Sequence, residues 1–201
     1  MTSNCFVVYD DVTKRCVVVD PGSEKSEREI SFIERNGLRL DYILLTHEHT
    51  DHNWGVNALC DRFDDVRVVC SEVCGRNVRK SNRSYFLFYY DDMDYQYEMR
   101  KPDQVISHSG ESLLWDGHEL LFYLTPGHSK GSMCIVLDNM LFTGDTIMPY
   151  KPCFNGRDAS EDDWEQSIQA IEQMASSDML VMPGHGEPLK FVDWQREYQD
   201  Y

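Results

Sequence analysis

Positive charge is scarce in this chain. Its 201 residues carry 19 Lys and Arg against 35 Asp and Glu, a formal net charge of −16. That balance argues against a broad surface for nucleic acid or anionic membrane, because both are captured through clustered cations. The one local exception, "GRNVRKSNR" with Arg76, Arg79, Lys80 and Arg83, reads equally well as a solvated helix face or as an attractor of a small anionic ligand. Long apolar runs are missing as well. The opening "MTSNCFVVYD" has neither a basic region nor an extended apolar stretch, so no signal peptide or membrane span is expected and the default location is cytoplasmic. Repeats, low-complexity tracts and Pro/Gly/Ser-rich linkers are also lacking, and a chain of this length is expected to form one domain over residues 1–201. The seven cysteines show no regular spacing. Cys5, Cys16 and Cys134 lie inside apolar runs, all seven read as reduced core residues, and Cys70 and Cys74 are too isolated to make a metal knuckle.

What is present is an α/β alternation. "CFVVYD" and "CVVVD" are β-branched runs around the polar "DVTKR", an opening hairpin, and "DPGS" is a turn. "EKSEREISFIERNG" has helical character with Asn36-Gly37 as its stop, and "LDYILLT" is a buried strand. A helix over "WGVNALCDRF" and a strand at "VRVVC" follow. Residues 75–104 show no period; this aromatic-rich, acidic stretch is expected to be an irregular insertion or flap. Beyond it, hairpins turn at Asp116-Gly117 and Asp138-Asn139. "SEDDWEQSIQAIEQMA" is a helix capped by Ser160, with Trp164, Ile168 and Ile171 on one face. "DMLVMPG" is a last strand before a short closing segment with Phe191 and Trp194.

Chemistry collects where apolar runs end. "THEHTDH", "TPGHSKGS", "LFTGDT" and "VMPGHGEP" each follow such a run, and five of the seven histidines lie in them. His47 and His49, two residues apart, face one side of an extended stretch and can ligate one ion. The chain then turns into a helix and aims Asp51 and His52 elsewhere. Gly127, Gly144 and Gly184 precede His128, Asp145 and His185 and allow sharp turns there. This spacing assigns His47, His49 and His128 to one metal, Asp51, His52 and His185 to a second, and Asp145 to a bridge between them. Glu48 and Thr50, between ligands, support the turn; Trp54 is a wall residue; His108 and His118 belong to no ligand motif. Lys130, Tyr150, Lys151 and Arg157 flank the ligand loops and are candidate substrate contacts.

In this order and with these separations, "THEHTDH", "TPGHSKGS", "FTGDT" and "PGHG" resemble the metallo-β-lactamase-fold hydrolase superfamily, over a span from "VVVDPG" near residue 20 to His185. The resemblance implies a four-layer αββα sandwich with a dinuclear site at one edge of its sheets. The acid at position 145 and "NGRDASEDDWEQSI" after it are similar to the glyoxalase II (hydroxyacylglutathione hydrolase) branch. That branch implies a metal-dependent hydrolase of a small-molecule thioester or related acyl ester, with Asp51 also catalytic and a hydroxide held between two divalent ions as the attacking group. The cofactor expectation is two zinc ions, with iron or manganese as alternatives, and no nucleic-acid or membrane partner.

Two other readings stand beside it. A persulfide dioxygenase-like oxidoreductase would hold a single iron through two His and one Asp. A non-catalytic metal-binding module would instead use the aromatic segment as its surface.

Overall fold

The computed structural model describes residues 3–90, 97–154 and 158–198. The chain divides into two compact units, Met1–Val105 and Ile106–Tyr201. In the first, strands β1 (Phe6–Tyr9) and β2 (Arg15–Val19) form the expected hairpin, with Phe6 opposite Val19 and Tyr9 opposite Cys16. Its turn is held by Asp10, whose Oδ1 accepts from the backbone N–H groups of Val12 and Thr13. Helix α1 (Glu27–Arg35) stops at Asn36 and at Gly37, which takes the left-handed φ of 62° required there. Strand β3 (Arg39–Leu44) then runs parallel to β2.

Two short helices follow the strand end, α2 (Thr50–Asn53) and α3 (Val56–Arg62), before β4 (Arg67–Ser71) pairs parallel to β3. Val17, Val18, Ile43, Leu44, Val68 and Val69 are all fully buried, so successive residues pointing to opposite faces are covered alike. That is the signature of a parallel sheet shielded on both sides. Each such side chain contributes about 1.5–3 kcal/mol relative to exposure.

Helix α4 (Glu72–Tyr90) corrects the reading of residues 75–104 as irregular over its first half, while residues 97–103 carry neither helix nor strand. Its inward stripe is Cys74, Val78, Asn82 and Phe86, all buried at four-residue spacing. A thiol and an amide in that stripe, and consecutive aromatics after it, hid the helical period from a count of apolar residues. Residues 91–96 of the aromatic-rich stretch lie outside the described residues.

Strand β5 (Gln104–Ile106) completes a five-stranded sheet in the order β1-β2-β3-β4-β5. The second unit holds β6 (Glu111–Trp115), β7 (His118–Leu124), β8 (Met133–Leu137) and β9 (Met140–Gly144), a meander of antiparallel neighbours. Its Asp116-Gly117 turn has both residues at positive φ, 52° and 87°. Helix α5 (Glu161–Met174) starts as expected: Ser160 Oγ accepts the Asp163 N–H at 3.2 Å. Strand β10 (Leu180–Pro183) joins β9 in parallel, and β11 (Leu189–Lys190) edges the six-stranded sheet β11-β10-β9-β8-β7-β6.

The closing segment forms α6 (Phe191–Tyr198). Its Phe191 and Trp194 pack with Trp164, Ile168 and Ile171 of α5 against Val136, Leu141 and Val181 of the sheet. Phe122, Ile135 and Phe142 stand in register across three strands and are buried on the other face. All cysteines are free thiols, and six are buried or half-buried. Cys153 departs from the expectation of core cysteines: it is exposed, because its neighbours Pro152 and Phe154 take the inward positions. Among the described residues no helix is long and apolar enough to cross a membrane.

Candidate metal centre

The first cluster of donors grows from the carboxyl ends of β2 and β3, which lie side by side. Asp20 follows β2 in the left-handed region, φ 52°, and is buried. Its Oδ1 accepts the Thr46 N–H at 2.8 Å, and its Oδ2 accepts the Thr46 hydroxyl at 2.6 Å and lies 2.9 Å from His52 Nδ1. A carboxylate can only accept, so His52 Nδ1 carries the ring proton and Nε2 keeps its lone pair. The single proton of the Thr46 hydroxyl is spent on Asp20. The 3.1 Å contact between Thr46 Oγ1 and His47 Nδ1 is therefore donated by the imidazole, which leaves His47 Nε2 as a donor atom for a metal. That nitrogen lies 3.0 Å from His49 Nδ1. The ring centroids of His47 and His52 lie 4.1 Å apart with their planes tilted by 52°, and His52 Nε2 is 3.9 Å from Asp51 Oδ2. Four donors thus meet within one loop.

The intervening residues point the other way. Glu48 and Thr50 are buried; Glu48 Oε1 accepts from Asn77 Nδ2 at 3.2 Å, and Thr50 Oγ1 donates to Asn82 Oδ1 at 2.7 Å. Asn53 Nδ2 ties the loop backbone by donating to the carbonyls of Glu48 and His49, at 3.0 and 2.7 Å. Trp54 packs edge-on against Phe86 at 4.9 Å, a wall residue as expected. The turn after β2 also needs its glycine: a Cβ on Gly22 would stand 1.6 Å from the Asp51 carbonyl oxygen.

The second cluster lies in the other unit, at the carboxyl ends of β7, β9 and β10. His128 follows Gly127, whose φ of 150° and approach to Trp164, 2.4 Å from a Cβ built there, leave room for no side chain. Asp145 follows Gly144 at the end of β9. His185 follows β10, and the Gly184 N–H binds the Gly144 carbonyl at 2.7 Å, so the two loops are tied together. The Asp145 Oδ2 atom lies 3.3 Å from His128 Nε2 and 3.7 Å from His185 Nε2. Imidazole and carboxylate donors at these separations, on side chains at least four-fifths buried, fit divalent ions.

The candidate substrate contacts divide. Lys130 is exposed beside His128. Tyr150 is 49% exposed, and its phenol is raised from its ordinary range by burial and then by the charge of Asp145. Lys151 is engaged elsewhere: its ammonium pairs with Glu161 in the first turn of α5 and lies 6.0 Å over the Trp164 ring. Arg157 lies outside the described residues. His108 is exposed, and His118 pairs with Asp138 at 2.9 Å; neither belongs to a cluster. The roles of Asp20, Asn53, Asn77 and Asn82 are not read from sequence; only Asp20 carried a signal, an acid ending a β-branched strand.

Comparison with known proteins gives the family. A family model described as the metallo-beta-lactamase superfamily matches residues 1–185. The chain is 29% identical over 177 residues to a hydroxyacylglutathione hydrolase of Enterobacter sp. (strain 638), covering 88% of this chain and 60% of that protein, less than two thirds of its length. It is 29% identical over 188 residues to a probable polyketide biosynthesis zinc-dependent hydrolase of Bacillus velezensis, covering 92% and 74%. Among solved structures it is similar to the BLEG-1 B3 metallo-beta-lactamase, with a TM-score of 0.85 and 23% identity over 96% of this chain and 91% of that one. The mixed α/β architecture of two sheets and helices is the metallo-beta-lactamase fold, as the motifs implied. By its fold and by the match over residues 1–185, the chain belongs to the metallo-beta-lactamase superfamily.

Proposed function

We propose that the protein is a metal-dependent hydrolase of thioesters or related acyl esters that works with two divalent ions. In this reading His47, His49 and His128 hold one ion, Asp51, His52 and His185 hold the other, and Asp145 serves both. The observation that carries it is the Asp145 carboxylate, one oxygen of which lies within 3.7 Å of both His128 and His185, imidazoles assigned to different ions. A donor set of imidazoles and carboxylates without thiolate suits zinc, with iron and manganese as alternatives. Ions bound there supply Lewis acidity and lower the pKa of water toward about 7.

The chain's own residues do the rest. Asp20 and Thr46 fix the imidazole tautomers of His52 and His47. Asp51, 19% exposed beside a fully buried His52, borders solvent, as does the half-buried His49. Lys130 and Tyr150, both exposed, are the candidates to meet an acyl substrate in this reading, and Lys151 pairs with Glu161. A thiolate leaves without an added proton, so thioester hydrolysis asks for no dedicated general acid. The names of the two relatives, a hydroxyacylglutathione hydrolase and a zinc-dependent hydrolase, support the substrate class and the metal.

The test is thiol release from panels of acyl-glutathione and acyl-CoA thioesters by protein reconstituted with zinc, iron or manganese. Turnover that disappears with a chelator is expected; inactivity on both panels with every metal would remove the thioester reading.

A further inference from the structure

The ligand loop reads in two interleaved sets. His47, His49 and Asp51 carry donors, while Glu48 and Thr50 turn back onto α4 and bond to Asn77 and Asn82. The loop changes conformation at this point: His49 is extended, φ −67° and ψ 142°, and Thr50 opens α2. Thr50 is therefore the pivot that sets the angle between the His49 arm and the Asp51-His52 pair. Its hydroxyl is fully buried and its 2.7 Å bond ends on Asn82, also fully buried, on the stripe of α4 that carries Cys74, Val78 and Phe86. Among the described residues, Asn82 Nδ2 finds no partner. An apolar side chain of similar size would avoid that unpaired group, so the amide contributes little to folding that a Leu would not. What it alone provides is the bond to Thr50.

We propose that Asn82 is a positioning residue: through Thr50, and with Asn77 acting likewise on Glu48, it sets the direction in which His49 and Asp51 present their donor atoms. The inference rests on the metal-binding reading given above. Removing a group that orients ligands lowers metal affinity by about 10- to 100-fold.

The test compares Thr50→Val, Thr50→Ser, Asn82→Leu and the double variant Thr50→Val/Asn82→Leu, reading zinc affinity by competition with a chromophoric chelator and thermal unfolding of the metal-free protein. Thr50→Val and Asn82→Leu should each lose at least tenfold in affinity, and Thr50→Ser, which keeps the hydroxyl, should stay within about threefold. The double variant separates the roles. It replaces both partners by apolar groups, so its metal-free stability should return toward wild type, while its affinity stays as low as that of either single variant. A Thr50→Val protein that binds zinc like wild type would overturn the proposal, as would a double variant whose affinity recovers with its stability. If Asn82→Leu fails to fold, Thr50→Val against Thr50→Ser decides. Wild-type protein that binds no zinc would instead remove the metal reading itself.

Discussion

His52 donates its Nδ1 proton to Asp20 across 2.9 Å, with the imidazole fully buried and the carboxylate nearly so. The pair fixes the tautomer of a candidate ligand from a residue that precedes it by more than thirty positions. Replacing Asp20 with Asn offers an amide that can bond either ring nitrogen state, so His52 Nε2 is no longer held unprotonated. The expected result is a 10- to 100-fold loss of metal affinity. Competition titration with a chelator measures it, and unchanged affinity would show that the loop alone holds the tautomer.

Metal content should be two divalent ions per chain in protein loaded with zinc, and Asp145→Ala should reduce it to one or fewer. Elemental analysis on the two proteins checks this. One iron per chain with oxygen uptake on a persulfide would favour the mononuclear oxidoreductase reading instead.

Chelation should lower the thermal midpoint reversibly. Ligand at a thousand times its dissociation constant stabilises by about 4 kcal/mol, which for a chain of this size corresponds to a shift on the order of 10 °C. Calorimetry before and after dialysis against EDTA measures the difference; midpoints that coincide would mean that the clusters bind nothing tightly.

Thiol reactivity should separate the cysteines. Burial pushes Cys16 and Cys134 up to about 12, so both remain protonated, and unreactive, as pH rises from about 7 to about 9. Iodoacetamide should label exposed Cys153 in the native protein and reach Cys16 and Cys134 only after unfolding. Native labelling of either buried thiol, read by mass spectrometry, would contradict the packing described.

Gly22→Ala should destabilise by about 1–3 kcal/mol and weaken metal binding too, because a Cβ 1.6 Å from the Asp51 carbonyl must displace the ligand loop. Chemical unfolding and metal titration on the same variant test both halves of that statement.

The candidate donor loops were legible from sequence because each combines rare residue types with a glycine turn or an apolar run before it, and His47 and His49 alternate as an extended chain demands before Asp51 enters α2. The helix over Glu72–Tyr90 was not, since its inward stripe includes Asn82 and Cys74 and so shows no clean apolar period. Lys151 shows the limit of proximity in sequence: it flanks a ligand loop, yet Glu161 and the Trp164 ring occupy its ammonium. Asp20 shows the converse, since nothing local marks a strand-end acid as the partner of a histidine in a distant loop.

Strand direction separates two kinds of position in each unit. Every donor follows the carboxyl end of β3, β7, β9 or β10, whereas the turns at residues 10–14, 116–117 and 138–139 lie at the amino ends of β2, β7 and β9. Fluorophores, affinity tags or inserted peptides placed at those turns are thus a full strand length from the chemistry of their own unit. They offer attachment points for surface immobilisation that leave the donor loops untouched.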